Sequence, residues 1–473
     1  MPALLCAALT AIGFYFSAGL GDQWWLAWLA PVPILWFAFG DTRGWQIFLA
    51  AFLAYALGET SILRAYGGVM PVPVMFIAIG GPALCFAAAV SGARRIQRSF
   101  GDIAGMFGFA TLWAALDFLS SFSNAGGAVA TPAAAEVSAP MLIQSASLVG
   151  FIGITFLLGL VSAGLALTLR TRAALPAVIA ITVFVLNAGF GYWRMSQPAA
   201  GTIHVALIDS DSVTGGVRKE DKVATMKAID AYAAEIGKLR GENPSLIVLP
   251  ENIAMLGASW RDEATAKLAA ALRGTQTTLV AGFNTNLNGA QRNVSLGFVP
   301  GASAPAIYQK RRLVKGLETQ YYTPGPGPAV LSNGVGLEVC KDMDFHAMLR
   351  SDEVATHPRL LAVPAWDFGA DDWSHARVAI LRSVENGVPM ARSAREGLLT
   401  VNDRYGRLIA MKKSGADFST LTGELPLDGV GGNTIYDRIG DAFGWLCAVM
   451  GLGLFALSFF GAKRDTLSGS KSA

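Results

Sequence analysis

Four cysteines and four histidines are few for a chain of 473 residues. Their placement excludes more than their number does. Cys6, Cys85 and Cys447 lie inside long apolar runs, so Cys340 has no disulfide partner in its own segment and a disulfide-stapled fold is excluded. His346, His357 and His375 form no HxH or HxxxH pair and no cysteine joins them, so no metal is expected, and no cofactor. Charge is also scarce. Asp, Glu, Lys and Arg make up 15% of the chain against 53% hydrophobic residues, which excludes a wholly soluble protein of this size. The net charge of +3 comes with no basic arm or stripe, which excludes nucleic acid as a partner. No internal repeat, low-complexity tract or Gly-rich phosphate loop is present.

What the chain has instead is apolar length. Runs near 3–20, 24–40, 45–63, 69–91, 103–121, 141–168 and 174–193, and an eighth over 439–462, each approach the roughly 20 residues that a bilayer-crossing helix needs. The first lacks the charged n-region of a cleaved signal peptide and reads as a retained helix. Arg43, Arg94, Arg95, Arg98, Arg170, Arg172, Lys463, Arg464 and Lys471 fall on one side of an eight-span chain, with only Arg64 and Arg194 opposite. By the positive-inside rule both ends are then cytoplasmic. The expected organisation is a membrane domain over 1–194, an extracytoplasmic domain over 195–435, and a closing transmembrane helix with a short cytoplasmic tail over 436–473. In a bacterium with two membranes this is a multi-pass inner-membrane protein whose large domain faces the periplasm. Trp24, Trp25, Trp28 and Trp36 fit an interfacial belt.

The segment between the seventh and eighth runs alternates short apolar strands ("TIHVALID", "PSLIVLPEN", "TTLVAGFNT", "GVGLEVC", "RLLAVPAWDF") with helical spacings such as "DWSHARVAILRSVENG". Such alternation predicts an α/β domain with sheet covered by helices. In α/β sheets reactive groups collect where strands end. "LIVLPEN" delivers Glu251, "IYQKRRLV" delivers Lys310 and "LEVC" delivers Cys340. A cysteine at a strand end is often only a small buried hydrophobe. A thiol accompanied by a carboxylate base and a fixed cation is a set for acyl transfer through a thioester, the base taking the thiol proton and the cation holding the oxyanion. Lys341, next to the thiol, would favour the thiolate if its ammonium turned toward the sulfur. Arg377 and Glu385, on one predicted helix, read as structural ion-pairing residues.

The three strand ends, in this order, resemble the nitrilase (carbon-nitrogen hydrolase) superfamily, whose catalytic set is Glu, Lys and Cys, and "WSHARVAILRSVENGVPMARSA" is similar to its helix and strand after the cysteine. The membrane half, with "ATLWAALDFL" and "PMLIQSASLVGFIGITFLLGLVSAGLAL", together with the closing helix, resembles the apolipoprotein N-acyltransferase family. The resemblance implies a four-layer αββα sandwich inserted in a polytopic α-helical membrane domain. It implies a phospholipid acyl donor among the membrane lipids, and a lipoprotein N-terminus or other amine as acceptor. In "YQKRRLVKGLE" the spacing from Lys310 matches the family's second glutamate, which gives Glu318 a supporting role toward Lys310 or the thiol.

Three features depart from that family. Lys341 and Asp342 follow the nucleophile where an aromatic and a glutamate are usual, and Cys-x-Asp is closer to soluble amidases. "TQYYTPGPGPAVL" replaces a long arm, and "SNAGGAVATPAAAEVSAP" replaces the usual loop before the sixth run. Two competing functions follow: a membrane-tethered amidase acting on a small or lipid-linked amide, and a non-catalytic envelope module.

Overall fold

A computed structural model describes residues 2–123, 126–427, 431 and 433–468, with side chains to residue 460. The chain divides into two compact units, one of residues up to Ser196 together with those from Arg438 on, the other Gln197–Asp437.

Among the described residues of the first unit six helices are long and apolar enough to cross a membrane: Gly44–Tyr66, Val72–Phe100, Asp102–Ser121, Phe151–Thr171, Ala174–Met195 and Ala442–Phe460. The expectation of eight full spans is corrected in three places. The first run is helical only over Pro2–Ser17, stopping before Gly19, whose φ of +56° ends the turn. The tryptophan-rich run gives a shorter apolar helix, Trp24–Ala38, with Pro31 within it. The 141–168 run is cut at Gly150, φ +73°, so that its long helix begins at Phe151.

Apolar side chains carry the packing here, and several of the buried polar ones are paired, as a hydrocarbon surrounding favours. Asp117 Oδ2 accepts hydrogen bonds from Thr131 Oγ1 at 2.8 Å and Thr155 Oγ1 at 2.6 Å. The Trp28 indole N–H donates to Glu136 Oε2 at 2.8 Å, and Trp28 is only 5% exposed, so it is a buried anchor and not part of an interfacial belt. Trp36 carries the Arg170 guanidinium 4.9 Å from its ring centre. Within "SNAGGAVATPAAAEVSAP", residues 124 and 125 lie outside the described residues, and Pro132–Ser138 forms 3-10 turns. Lys471 also lies outside them, as do the side chains of Lys463 and Arg464.

The second unit is the expected αββα sandwich. Its strands are β1 (Gly201–Asp209), β2 (Leu246–Val248), β3 (Met255–Leu256), β4 (Thr278–Leu287), β5 (Ala290–Phe298), β6 (Ala306–Gln309), β7 (Ala329–Val330), β8 (Val335–Leu337), β9 (Leu360–Trp366), β10 (Met390–Arg395), β11 (Leu398–Asn402), β12 (Leu408–Lys413) and β13 (Ser419–Leu427). One seven-stranded sheet runs β13-β1-β2-β4-β5-β6 with β3 on β4, and one six-stranded sheet runs β12-β11-β10-β9-β8-β7. Period-2 alternation builds the layers. On β1, Val205 and Leu207 enter the core between the sheets with Val335, Leu337 and Val401, while Ala206 and Ile208 face the other way, into a core with Ile229, Tyr232 and Leu268 of the helices Lys222–Lys238 and Arg261–Ala271. Asp372–Asn386 packs on the second sheet with His346–Thr356 beside it. Strand β13, absent from the sequence reading, pairs antiparallel with β1 along its whole length.

Candidate active site

Three strand ends converge, β2 and β6 from the first sheet and β8 from the second. After β2 the chain crosses directly over Gly282 of β4, where a Cβ would stand 2.5 Å from Glu251 Cα, so only glycine admits this approach. The Glu251 N–H donates to the Ala365 carbonyl across the sandwich at 3.2 Å. Lys310 leaves β6 with its N–H on the Asn293 carbonyl at 2.9 Å. Its ammonium is 1% exposed and donates to Glu251 Oε1 at 2.8 Å and to Glu318 Oε1 at 3.0 Å. Glu318 reaches it because the loop folds on itself: the Val314 N–H donates to Glu318 Oε2 at 2.8 Å, and the Glu318 N–H donates back to the Val314 carbonyl at 2.8 Å.

Cys340 opens a 3-10 turn, Cys340–Asp344, at a φ of +42°. This left-handed conformation is uncommon for a residue with a side chain, and such strain clusters at functional sites. The thiol is half-buried and donates weakly to the Trp366 carbonyl at 3.5 Å. Burial pushes it well above the usual thiol range, and the Glu251 charge adds to this, while Lys310 and, more weakly, Arg392 oppose it. Burial alone would lower the Lys310 ammonium, but Glu251 and Glu318 hold it well above its ordinary value. Burial also raises the Glu251 carboxyl, against the pull of Lys310. The site therefore gathers a thiol that burial favours in its neutral form, a fixed cation and a buried carboxyl.

The two residues after Cys340 make contacts of their own. Lys341 does not turn to the sulfur: its Nζ donates to Asp344 Oδ2 at 2.9 Å, and the thiol is raised, not lowered. Asp342 is fully buried and accepts from the N–H groups of Arg311 at 3.2 Å and Arg312 at 2.7 Å, the residues directly after Lys310. It fastens the loop after Lys310 to the turn that Cys340 opens. On the helix behind them Glu385 pairs with Arg382 at 2.9 Å, as befits a structural ion-pairing residue.

Sequence reasoning passed over Asn293, whose Nδ2 donates to Glu251 Oε1 at 2.5 Å and to Glu318 Oε1 at 3.0 Å. The signal was an amide inside the apolar strand "RNVSLGF". It also passed over Tyr322, whose buried hydroxyl has no hydrogen-bond partner among the described residues and feels the charges of Glu318 and Glu251.

A family model described as the apolipoprotein N-acyltransferase N-terminal domain matches residues 7–164. The apolipoprotein N-acyltransferase of Geobacter metallireducens is 26% identical over 514 residues, covering 97% of this chain and 95% of that protein. Those of Rhizobium rhizogenes and Brucella melitensis are 25% and 24% identical, covering 82% and 90% of this chain and 81% and 79% of their own. Among solved structures, an amidase from Nesterenkonia sp. is similar over 49% of this chain and 93% of its own at 21% identity, with a TM-score of 0.40. Saccharomyces cerevisiae Nit3, a member of branch 10 of the nitrilase superfamily, covers 52% of this chain and 96% of its own at 17% identity, also at 0.40.

Proposed function

We propose that the chain is a divergent member of the apolipoprotein N-acyltransferase family, a reading its likeness to that family supports, and that it is a membrane N-acyltransferase working through a thioester on Cys340. The donor is a phospholipid ester and the acceptor a primary amine such as the N-terminus of an apolipoprotein. The observation that carries this reading is the buried contact of Lys310 with Glu251 in the neighbourhood of the Cys340 thiol, whose ionisation both charges bias. As Cys340 Sγ attacks the ester carbonyl, Glu251 takes the thiol proton and Lys310 holds the oxyanion. Collapse breaks the ester C–O bond, and the leaving lysophospholipid oxygen takes that proton back from Glu251. The amine then attacks the thioester, gives its proton to Glu251, and leaves as the amide while Glu251 returns the proton to the sulfur. Glu318 and Asn293 keep Lys310 and Glu251 in register throughout.

Hydrolysis by water is the second reading. It is favoured by the compact segment after Glu318, where the Tyr322 N–H returns to the Glu318 carbonyl at 2.9 Å and the Gly325 N–H to the Lys310 carbonyl at 2.9 Å. Mass spectrometry of the protein purified from membranes separates the two. A fatty acyl mass on Cys340 that disappears on adding an amine-bearing lipopeptide, with the acyl group recovered as an amide, is the expected result. An unmodified thiol that turns over only small amides would give the hydrolytic reading instead.

The same proposal places the protein in a bacterial inner membrane, with the 195–435 domain in the periplasm between the 1–194 and 436–473 membrane segments. The Lys and Arg asymmetry supports this orientation. A reporter active only outside the cytoplasm, fused near residue 300, should be active, and one fused near Arg95 should be silent. The opposite pattern would reverse the topology.

A further inference from the structure

Tyr308 has one hydroxyl proton and two carboxyl groups competing for it. Its oxygen stands 2.7 Å from Glu338 Oε2 and 2.8 Å from Asp342 Oδ2, while Arg311 Nε donates to it at 3.1 Å. One O–H can serve only one of two ionised oxygens, and the other short contact would then be lone pair against lone pair. Both contacts become hydrogen bonds only if one of the two carboxyls carries a proton of its own.

The partners decide which one. Asp342 Oδ1 accepts two backbone N–H groups, an arrangement that favours its ionised form. Besides Tyr308, the Glu338 carboxyl has among the described residues only Arg311 Nη2 at 3.3 Å, and that guanidinium is already committed to Asp352, with Nη1 donating to Oδ1 at 3.0 Å and Nη2 to Oδ2. Glu338 is 3% exposed, in a position where the strand pattern calls for an apolar residue.

We propose that Glu338 is a positioning residue that works as a neutral acid: its Oε2–H donates to the Tyr308 oxygen, and the Tyr308 O–H donates to Asp342. The inference rests on the thioester reading for its kinetic consequences. The chain of two hydrogen bonds staples the sheets together at the site. Tyr308 lies two residues before Lys310, Glu338 two before Cys340 and Asp342 two after it, so the staple sets the spacing of cation and nucleophile. The charged and titratable groups facing Glu338 are Tyr308 on β6, Arg311 in the turn after it, Asp342 on the 3-10 turn, and Asp352 with the more distant Glu353 on the helix His346–Thr356. Burial first, then Asp342, holds Glu338 well above the carboxylate range, Arg311 opposing.

The sign of the pH effect follows. A carboxyl raised in the folded state contributes stability below its unfolded value and loses it as pH rises through the folded one. On the alkaline side Glu338 ionises, the donor to Tyr308 is lost and a further anion sits beside Asp342 and Asp352. The rate of acyl-enzyme formation by the full chain in detergent, measured against pH for wild type, Glu338→Gln and Glu338→Leu, tests this. The glutamine amide can donate to Tyr308 and accept from Arg311 at every pH, so Glu338→Gln should keep the acid-side rate within a few fold and lose the alkaline decline. Glu338→Leu, with no donor, should lose on the order of tenfold across the range through misplacement of the reacting groups. An alkaline decline identical in wild type and Glu338→Gln, or wild-type rates in Glu338→Leu, would overturn the proposal. Thermal unfolding against pH is the second readout. The wild-type melting temperature should fall toward alkaline pH more steeply than that of Glu338→Gln, and parallel curves would overturn the proposal even if no acyl-enzyme forms in any variant, the outcome that would count against the thioester reading itself.

Discussion

Cys340→Ser is expected to lower turnover at least about a hundredfold, the scale on which a displaced nucleophile or its proton partner is felt, and to abolish the acyl mass at position 340. On the proposed mechanism the thiol has an unfavourable start: burial and the Glu251 charge raise it well above the usual thiol range, so Glu251 must take its proton for it to attack. A hydroxyl in the same place has a far higher ionisation cost and a poorer leaving group in the second half-reaction. Folding should be spared. The side chain is half-buried, its one hydrogen bond is the long contact to the Trp366 carbonyl, and serine accepts the φ of +42° as readily as cysteine does. The check is the release of lysophospholipid by a variant whose melting temperature matches the wild type. A wild-type rate in that variant would end the thioester reading.

The three convergent strand ends were legible because each closes a short, largely apolar stretch: Glu251 after "LIVLP", Lys310 after "AIYQ", Cys340 after "LEV". Period-2 burial makes such strands visible, and a charged residue at the end of a buried strand has few structural explanations. What sequence could not show is direction. In a 3-10 turn successive side chains diverge by about a third of a revolution and residues three apart align, so Lys341 leaves the sulfur and meets Asp344. Nor could it show pairs made across layers. Asn293 on β5 meets Glu251 after β2, and Tyr308 on β6 meets Glu338 after β8, contacts that depend on how two sheets face each other. Strand β13 escaped because "STLTGELPL" is only partly buried, its register supplied by pairing with β1 and not by an apolar pattern of its own. In the membrane half, composition marked where the apolar helices lie, but Gly19 and Gly150 set where the first ends and where the Phe151–Thr171 helix begins.

Lys310→Met is expected to cost both activity and stability, the latter by about 3–5 kcal/mol, the range for removing one partner of a buried ion pair. The ammonium is the only cation that Glu251 and Glu318 share among the described residues, at 2.8 Å and 2.9 Å, and all three side chains are shielded from water. Without it, Asn293 alone is left to bridge two carboxylates, through one Nδ2. Turnover should fall by about a hundredfold or more with the loss of the oxyanion's partner. The pH dependence has a definite sign. Burial already raises the Glu251 carboxyl and Lys310 is the main opposing influence, so in Lys310→Met it rises further. Its stability is then retained at acid pH and lost as pH rises, and the melting-temperature gap to wild type should widen from mildly acidic to neutral pH. Adding Glu318→Gln removes one of the two stranded anions, and the double variant should regain part of the lost stability without regaining turnover, because no ammonium faces the oxyanion. Thermal unfolding of the full chain in detergent at several pH values measures the first effect and acyl-enzyme formation the second. An unaltered melting temperature in Lys310→Met would show that the three charges do not hold the site together. Recovered turnover in the double variant would remove Lys310 from the oxyanion's reach.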